Sequence, residues 1–181
     1  AKYGLYAQKE NRFPVTIVGF NRVAINSELK EEDYPNLKFE NRLSYVAQVL
    51  ISRKFSDKLS LEIAPSVFHE NTLRDILDEN NAVILPNPQD NTQFAVGLGG
   101  RYKLTSRWSV NVDYAAHLNR ASQSNYKNPL SIGVDLETGG HVFQMHFTNA
   151  QAMHETGYLG QTVGDWSKGE IAFGFNLVRV F

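Results

Sequence analysis

Along most of this chain, large apolar residues alternate with small or polar ones at a period of two. A period of two is the mark of a half-buried β-strand and is incompatible with an amphipathic helix. The clearest run places Trp108, Val110, Val112, Tyr114, Ala116 and Leu118 on one face. Ser109, Asn111, Asp113, Ala115, His117 and Asn119 share the other. Leu59, Leu61, Ile63, Pro65 and Val67 likewise oppose Ser60, Glu62, Ala64 and Ser66. Between Phe94 and Leu104, the even positions (Val96, Leu98, Gly100 and Tyr102 among them) oppose Ala95, Gly97, Gly99, Arg101 and Lys103. Further on, Leu130, Ile132, Val134 and Leu136 oppose Ser131, Gly133, Asp135 and Glu137, and Phe143, Met145 and Phe147 oppose Gln144, His146 and Thr148. The last nine residues set Phe173, Phe175, Leu177, Arg179 and Phe181 against Gly174 and Asn176. Two stretches are less clean. Val46 and Leu50 fall on the polar face of 43–55, and Phe20 shares a side with Arg22 in 14–27.

Connections between these runs alternate in length. Short ones lie at 8–12, 56–58, 105–107 and 139–140, and long ones at 27–40, 71–90, 120–127 and 151–168. Gly139-Gly140 is a strong two-residue hairpin signal, because both residues tolerate positive φ. It sets Leu136 opposite Phe143 and moves the apolar face from even to odd numbers, as the sequence does. The three-residue turns keep parity, with Phe55 facing Leu59 and Leu104 facing Trp108. Facing and register therefore agree at each turn. Long loops at one end and tight turns at the other describe an antiparallel up-and-down transmembrane β-barrel, with its turns in the periplasm and its loops outside. About nine strands are counted, and single-chain bacterial barrels carry even numbers, so at least one strand is expected before Ala1. The expectation is one barrel domain over 1–181, with about ten to twelve strands in the native chain and a narrow lumen that side chains can fill.

Alternation alone does not separate inside from outside. In a soluble sandwich or lipocalin-like barrel the apolar face points inward. Three features favour lipid. The polar face is rich in glycine and alanine, which suits a crowded lumen. The runs reach ten residues or more, long for a small sandwich. The loops are asymmetric and the chain ends on an aromatic. Mean hydropathy is only -0.35, but barrel strands average low because they alternate. Leu61, Ile63, Val96, Leu98, Val110, Val112, Tyr114, Ile132, Val134, Phe143, Met145, Phe173, Phe175 and Leu177 are then lipid-facing, with Phe181 as a C-terminal aromatic. Phe13, Phe55, Tyr102 and Trp108 fall near the short turns and Tyr45, Phe94 and Tyr114 further out, as interfacial aromatics do.

The lumen is then lined by Glu62, Arg101, Lys103, Asn111, Asp113, His117, Asp135, Glu137, Gln144 and His146. Pairing the strand from Leu59 with the strand to Leu104 in a hairpin register puts Glu62 opposite Arg101. That ion pair reads as a structural network filling the barrel or as a charge filter for a solute. Mixed signs argue against a strongly ion-selective pore. Net charge is -1, so nothing points to nucleic acid. Cysteine is absent, which removes disulfides, thiolate metal sites and cysteine nucleophiles. The five histidines show no compact metal spacing, although inward His117 and His146 are one strand apart. No metal, cofactor or catalytic residue is expected. A hydrolase needs a serine beside a histidine, and the Gly139 register puts Gly133, not Ser131, opposite His146. The 151–168 loop, with Met153, Tyr158, Leu159, Val163 and Trp166, reads as a lid or plug, a partner surface or an ordered loop. Residues 73–77 read as one helical turn.

The stretches Gly139–Ala150 (GGHVFQMHFTNA), Gly164-Asp165-Trp166 and Phe173–Phe181 (FGFNLVRVF) resemble the signature of an uncharacterised family of Bacteroidota outer-membrane β-barrels. The resemblance covers about the last quarter of the chain. It implies an outer-membrane location, an N-terminal signal and further strands ahead of Ala1, and it brings no catalytic residues. The expected function is a small channel or transporter-like barrel of unknown solute. The alternatives are a non-conducting scaffold in an envelope complex and a soluble barrel that binds an apolar ligand. Expected partners are outer-membrane lipid, the barrel-assembly machinery and envelope proteins.

Overall fold

A computed structural model describes residues 1–10, 12–32, 34, 36–73, 76–77, 83–85 and 87–179. The chain forms β1 (Lys2–Tyr6), β2 (Thr16–Ile25), β3 (Leu43–Lys54), β4 (Leu59–Glu70), β5 (Ile76–Leu77), β6 (Val83–Leu85), β7 (Thr92–Lys103), β8 (Trp108–His117), β9 (Leu130–Thr138), β10 (His141–Thr148), α1 (Glu155–Gly160) and β11 (Ala172–Arg179). Nine strands make one antiparallel up-and-down sheet in the order β1-β2-β3-β4-β7-β8-β9-β10-β11. β5 and β6 pair separately within the 71–91 connection. Ile76 and Leu77 are thus strand rather than helical turn, while Arg74 and Asp75 lie outside the described residues, as does Phe181. The middle strands are 10 to 12 residues long, the length needed to cross a bilayer at a tilt. Among the described residues, no helix is long and apolar enough to cross one.

The tight turns follow from their residues. Gly139 and Gly140 sit at φ 52° and 96°, as a hairpin with two left-handed central residues requires. At the other two tight turns a hydroxyl stands in for a backbone acceptor. Ser56 Oγ accepts from the Lys58 and Leu59 amides at 3.2 and 3.1 Å, and Thr105 Oγ1 accepts from those of Arg107 and Trp108 at 3.2 and 3.0 Å. A left-handed backbone costs a residue with a Cβ about 1–2 kcal/mol. Gly139→Ala should therefore lower the unfolding free energy by about 1 kcal/mol, read as an earlier urea midpoint for the detergent-folded chain. An unchanged midpoint would mean the turn is not formed.

The faces are now fixed. Ser109 and Ala115 on β8 are each 1% exposed, whereas Trp108 and Val112 on the same strand are 40% and 43% exposed. The polar face is the packed interior and the apolar face is the outer surface. That arrangement overturns the soluble-barrel alternative, which needs the apolar residues inside. Outward aromatics pair across strands, Phe147 with Phe173 at 5.5 Å and Phe143 with Phe175 at 6.3 Å between ring centroids. Such cross-strand pairs help hold a sheet's register. One predicted register is corrected. Arg101 pairs with Ser60, and Glu62 pairs with Gly99. The 71–91 connection is too long to fix a register, and a shift of two residues leaves every side chain on its expected face.

Candidate functional site

The inner face carries two features, a polar cavity and a loop folded down onto it. The loop is the connection between β10 and β11, and Asn149 anchors its root. The Asn149 side chain accepts from the Leu130 amide at 2.8 Å and donates to the carbonyls of Asn128 and Gly164 at 3.1 and 2.9 Å. At Gly164 a Cβ would lie 2.4 Å from the Glu170 carbonyl oxygen, so only glycine permits this crossing. Trp166 Nε1 donates to the Leu130 carbonyl at 3.0 Å. Asp165 caps the short turn Trp166–Lys168. Hydrogen bonds from Ser167 hold the Asp165 carboxyl below the usual carboxylate range.

Between these anchors the chain forms α1. His154 caps the helix, with Nδ1 accepting from the Gly157 amide at 3.0 Å. The helix buries Leu159 against Val46, Phe68, Ala95 and Ala115, with Phe20 and Tyr158 packed beside them. Gly160 lies flat on the Phe68 ring, where a Cβ would approach to 2.9 Å. Phe20 and Val46 were two of the three residues that broke the alternation on β2 and β3. They break it because, with Phe68, they form an apolar seat on an otherwise polar wall. Polar pins surround the seat. Arg22 pairs with Glu155, and the Tyr158 phenol donates to Asp113. Gln161 Nε2 donates to both Glu70 carboxylate oxygens at 3.1 and 2.9 Å. Arg120 donates to the Gly160 carbonyl at 3.3 Å. These contacts reach β2, β3, β4, β7 and β8, so the loop packs as a plug against the inner face of these strands at the long-loop end, while β1 and β11 are the two edges of the described sheet.

On the side away from this seat, a charge cluster joins β7, β9 and β10. Arg101 donates from Nη2 to Glu137 at 2.6 Å and from Nε to Ser109 Oγ at 2.9 Å, and its Nε lies 3.6 Å from Asp135. Lys103 Nζ lies 3.7 Å from Glu137, and Gln144 Nε2 is 3.4 Å from Asp135 Oδ1. Arg101 therefore finds its carboxylates two strands away on β9, not on β4. A cavity of about 500 Å³ opens between the cluster and the plug, lined by Asn111, Asp113, Asp135, Gln144, His146, Tyr158 and Asn176 among others.

Most of the residues predicted to line the lumen face this interior, but not all of them meet. His117 is buried against Phe68 with ring centroids 5.7 Å apart, and neither of its ring nitrogens has a hydrogen-bond partner among the described residues. His146 is level with Gly133, which pairs with Asn111. Asn111 and His117 are six positions apart on β8, roughly 20 Å along a strand, so the two histidines do not converge. Among the described residues, no group of three His, Cys, Asp or Glu could hold a metal. Ser131 donates to Thr148 Oγ1 at 2.8 Å and lies opposite Thr148 rather than His146. Sequence reasoning missed Phe68, Glu70, Glu155 and Gln161. Only Phe68 left a trace, as a large aromatic at an even, inward position of β4.

No curated protein and no solved structure matches the chain. An apolar outer surface, a polar packed interior and up-and-down strands of membrane-crossing length agree with a family model that matches residues 1–181: the chain belongs to the family described as Membrane bound beta barrel domain (DUF5777).

Proposed function

We propose that this protein is an outer-membrane barrel of Bacteroidota whose lumen is shut at rest by the 149–171 loop and admits a small polar solute when the loop lifts. The observation that carries this reading is the seating of α1. One leucine side chain fills the apolar seat, worth about 1.5–3 kcal/mol on burial. The Arg22–Glu155 pair is partly exposed, and such pairs contribute about 1 kcal/mol or less. The other pins are hydrogen bonds whose groups can turn to water when the loop lifts, which suits a gate better than a permanent stopper. The apolar outer face sits in outer-membrane lipid, placed there by the barrel-assembly machinery, and we assign the protein no catalytic residue and no cofactor.

Residues 1–181 hold no cysteine, so single introduced thiols within them report cleanly. Met153 is fully exposed and Leu159 is buried. In intact cells a membrane-impermeant maleimide should label Met153→Cys at once and Leu159→Cys far more slowly. Equal rates would contradict the closed loop, and no labelling at 153 would contradict its placement outside. The second reading is a scaffold for envelope partners, favoured by the number of polar pins on the loop. A scaffold would label in the same way but stay silent in a planar bilayer at every voltage.

A further inference from the structure

The cavity between the plug and the charge cluster has a particular pattern of used and unused hydrogen-bonding groups. Its charged members are occupied with one another. Arg101 bonds Glu137 and Ser109 and approaches Asp135, and Asp113 accepts from Tyr158. The groups left without any hydrogen bond among the described residues are neutral: Asn111 on β8, His146 on β10 and Asn176 on β11. Gln144, with a single long bond of 3.4 Å, is nearly free as well. Register places these four together. Asn111 pairs with Gly133, Gly133 with His146, His146 with Gly174, and Gln144 with Asn176.

Glycines make the space. A Cβ at Gly174 would lie 2.2 Å from His146 Nε2, and one at Gly133 would lie 2.9 Å from His146 Cβ. The imidazole thus lies across bare backbone on both sides and fills the volume that side chains at 133 and 174 would take. At about 500 Å³ this open-sided cavity has the size of clefts that take small ligands, about 300–1,000 Å³.

We infer that this cavity is a binding station for a small neutral polyhydroxylated solute of mono- or disaccharide size. An amide presents donors and an acceptor side by side, and an imidazole presents one of each. Hydroxyl groups, which also donate and accept, complement that set. Asn111, Gln144 and His146 are half-buried and Asn176 is exposed, so sugar hydroxyls would take the place of water at these groups. An anion would meet Asp113 and Asp135 with the single guanidinium already engaged. A cation would meet the Arg101 guanidinium on the same wall, and would have to displace Arg101 from Asp135 or the Tyr158 phenol from Asp113. The inference rests on the gated-lumen reading, since the station lies directly beneath the plug.

Calorimetric titration of the full chain in detergent tests it, with glucose and maltose as neutral probes, choline chloride as the cationic probe and sodium phosphate as the anionic one. Saturable binding of glucose or maltose is expected, weakened at least tenfold by Asn111→Ala together with Asn176→Ala, with neither choline nor phosphate binding. The heat-dependent gel shift of a folded barrel confirms that the double variant still folds. The inference is overturned if no sugar binds, if choline or phosphate binds instead, or if sugar binding is untouched in the folded double variant. If sugar binds to a barrel that never conducts, the station stands and the gate fails. If the barrel conducts once its plug is released but binds no sugar, the gate stands and the station fails.

Discussion

Val112→Arg is expected to cost the folded barrel about 2–4 kcal/mol in a bilayer, while Asn111→Arg, one residue away, costs much less. Val112 sits at mid-strand in β8, on the outer face, between Gly100 of β7 and Ile132 of β9. A guanidinium there must enter hydrocarbon or deform the bilayer around it. Asn111 lies on the opposite face, at the polar cavity, with Asp113 and Asp135 lining the same space. An added guanidinium can find a carboxylate or water there. The contrast is read from urea titrations of folding into lipid vesicles, followed by the gel shift of the folded form. Equal tolerance at the two positions would contradict the assigned faces, and a larger cost at Asn111 would reverse them.

The faces were legible in the sequence because a strand has only two of them. Trp108, Val110 and Val112 could be separated from Ser109, Asn111 and Asp113 by counting alone. Register was legible wherever a tight turn pinned it. The Gly139-Gly140 hairpin pairs Leu136 with Phe143 and Gly133 with His146 as expected. It was not legible between β4 and β7, where 71–91 intervenes and Arg101 moved from Glu62 to Ser60. There the constraint was parity, which survives a slip of two.

The plug was only half legible. Tyr158 and Leu159 stood out as apolar residues in a long loop, and Phe20 and Val46 as blemishes on polar faces. Nothing local joined the two observations. Arg22 and Glu155 are 133 positions apart, and no periodicity spans a loop. The charge cluster has the same character. Each of its members is an ordinary inward polar residue, and the pairing of Arg101 of β7 with Glu137 of β9 reaches across β8.

Leu159→Asp should have the largest effect on conduction. It places a carboxylate among Val46, Phe68, Ala95 and Ala115, where an unpaired charge costs several kcal/mol. That is comparable to everything holding the loop in place, so α1 should leave its seat while the strands, whose ladders it does not touch, remain paired. Replacement of residues 152–163 by a short Gly/Ser linker should act in the same direction and leaves the Asn149 and Trp166 anchors intact. The decisive measurement is therefore the current across a planar bilayer holding the full chain, compared with the Leu159→Asp chain folded under the same conditions. Closure by the loop predicts a native barrel that is silent apart from brief openings and a variant that carries a sustained current. A steady open current from the native chain, or silence from a well-folded variant, would contradict it.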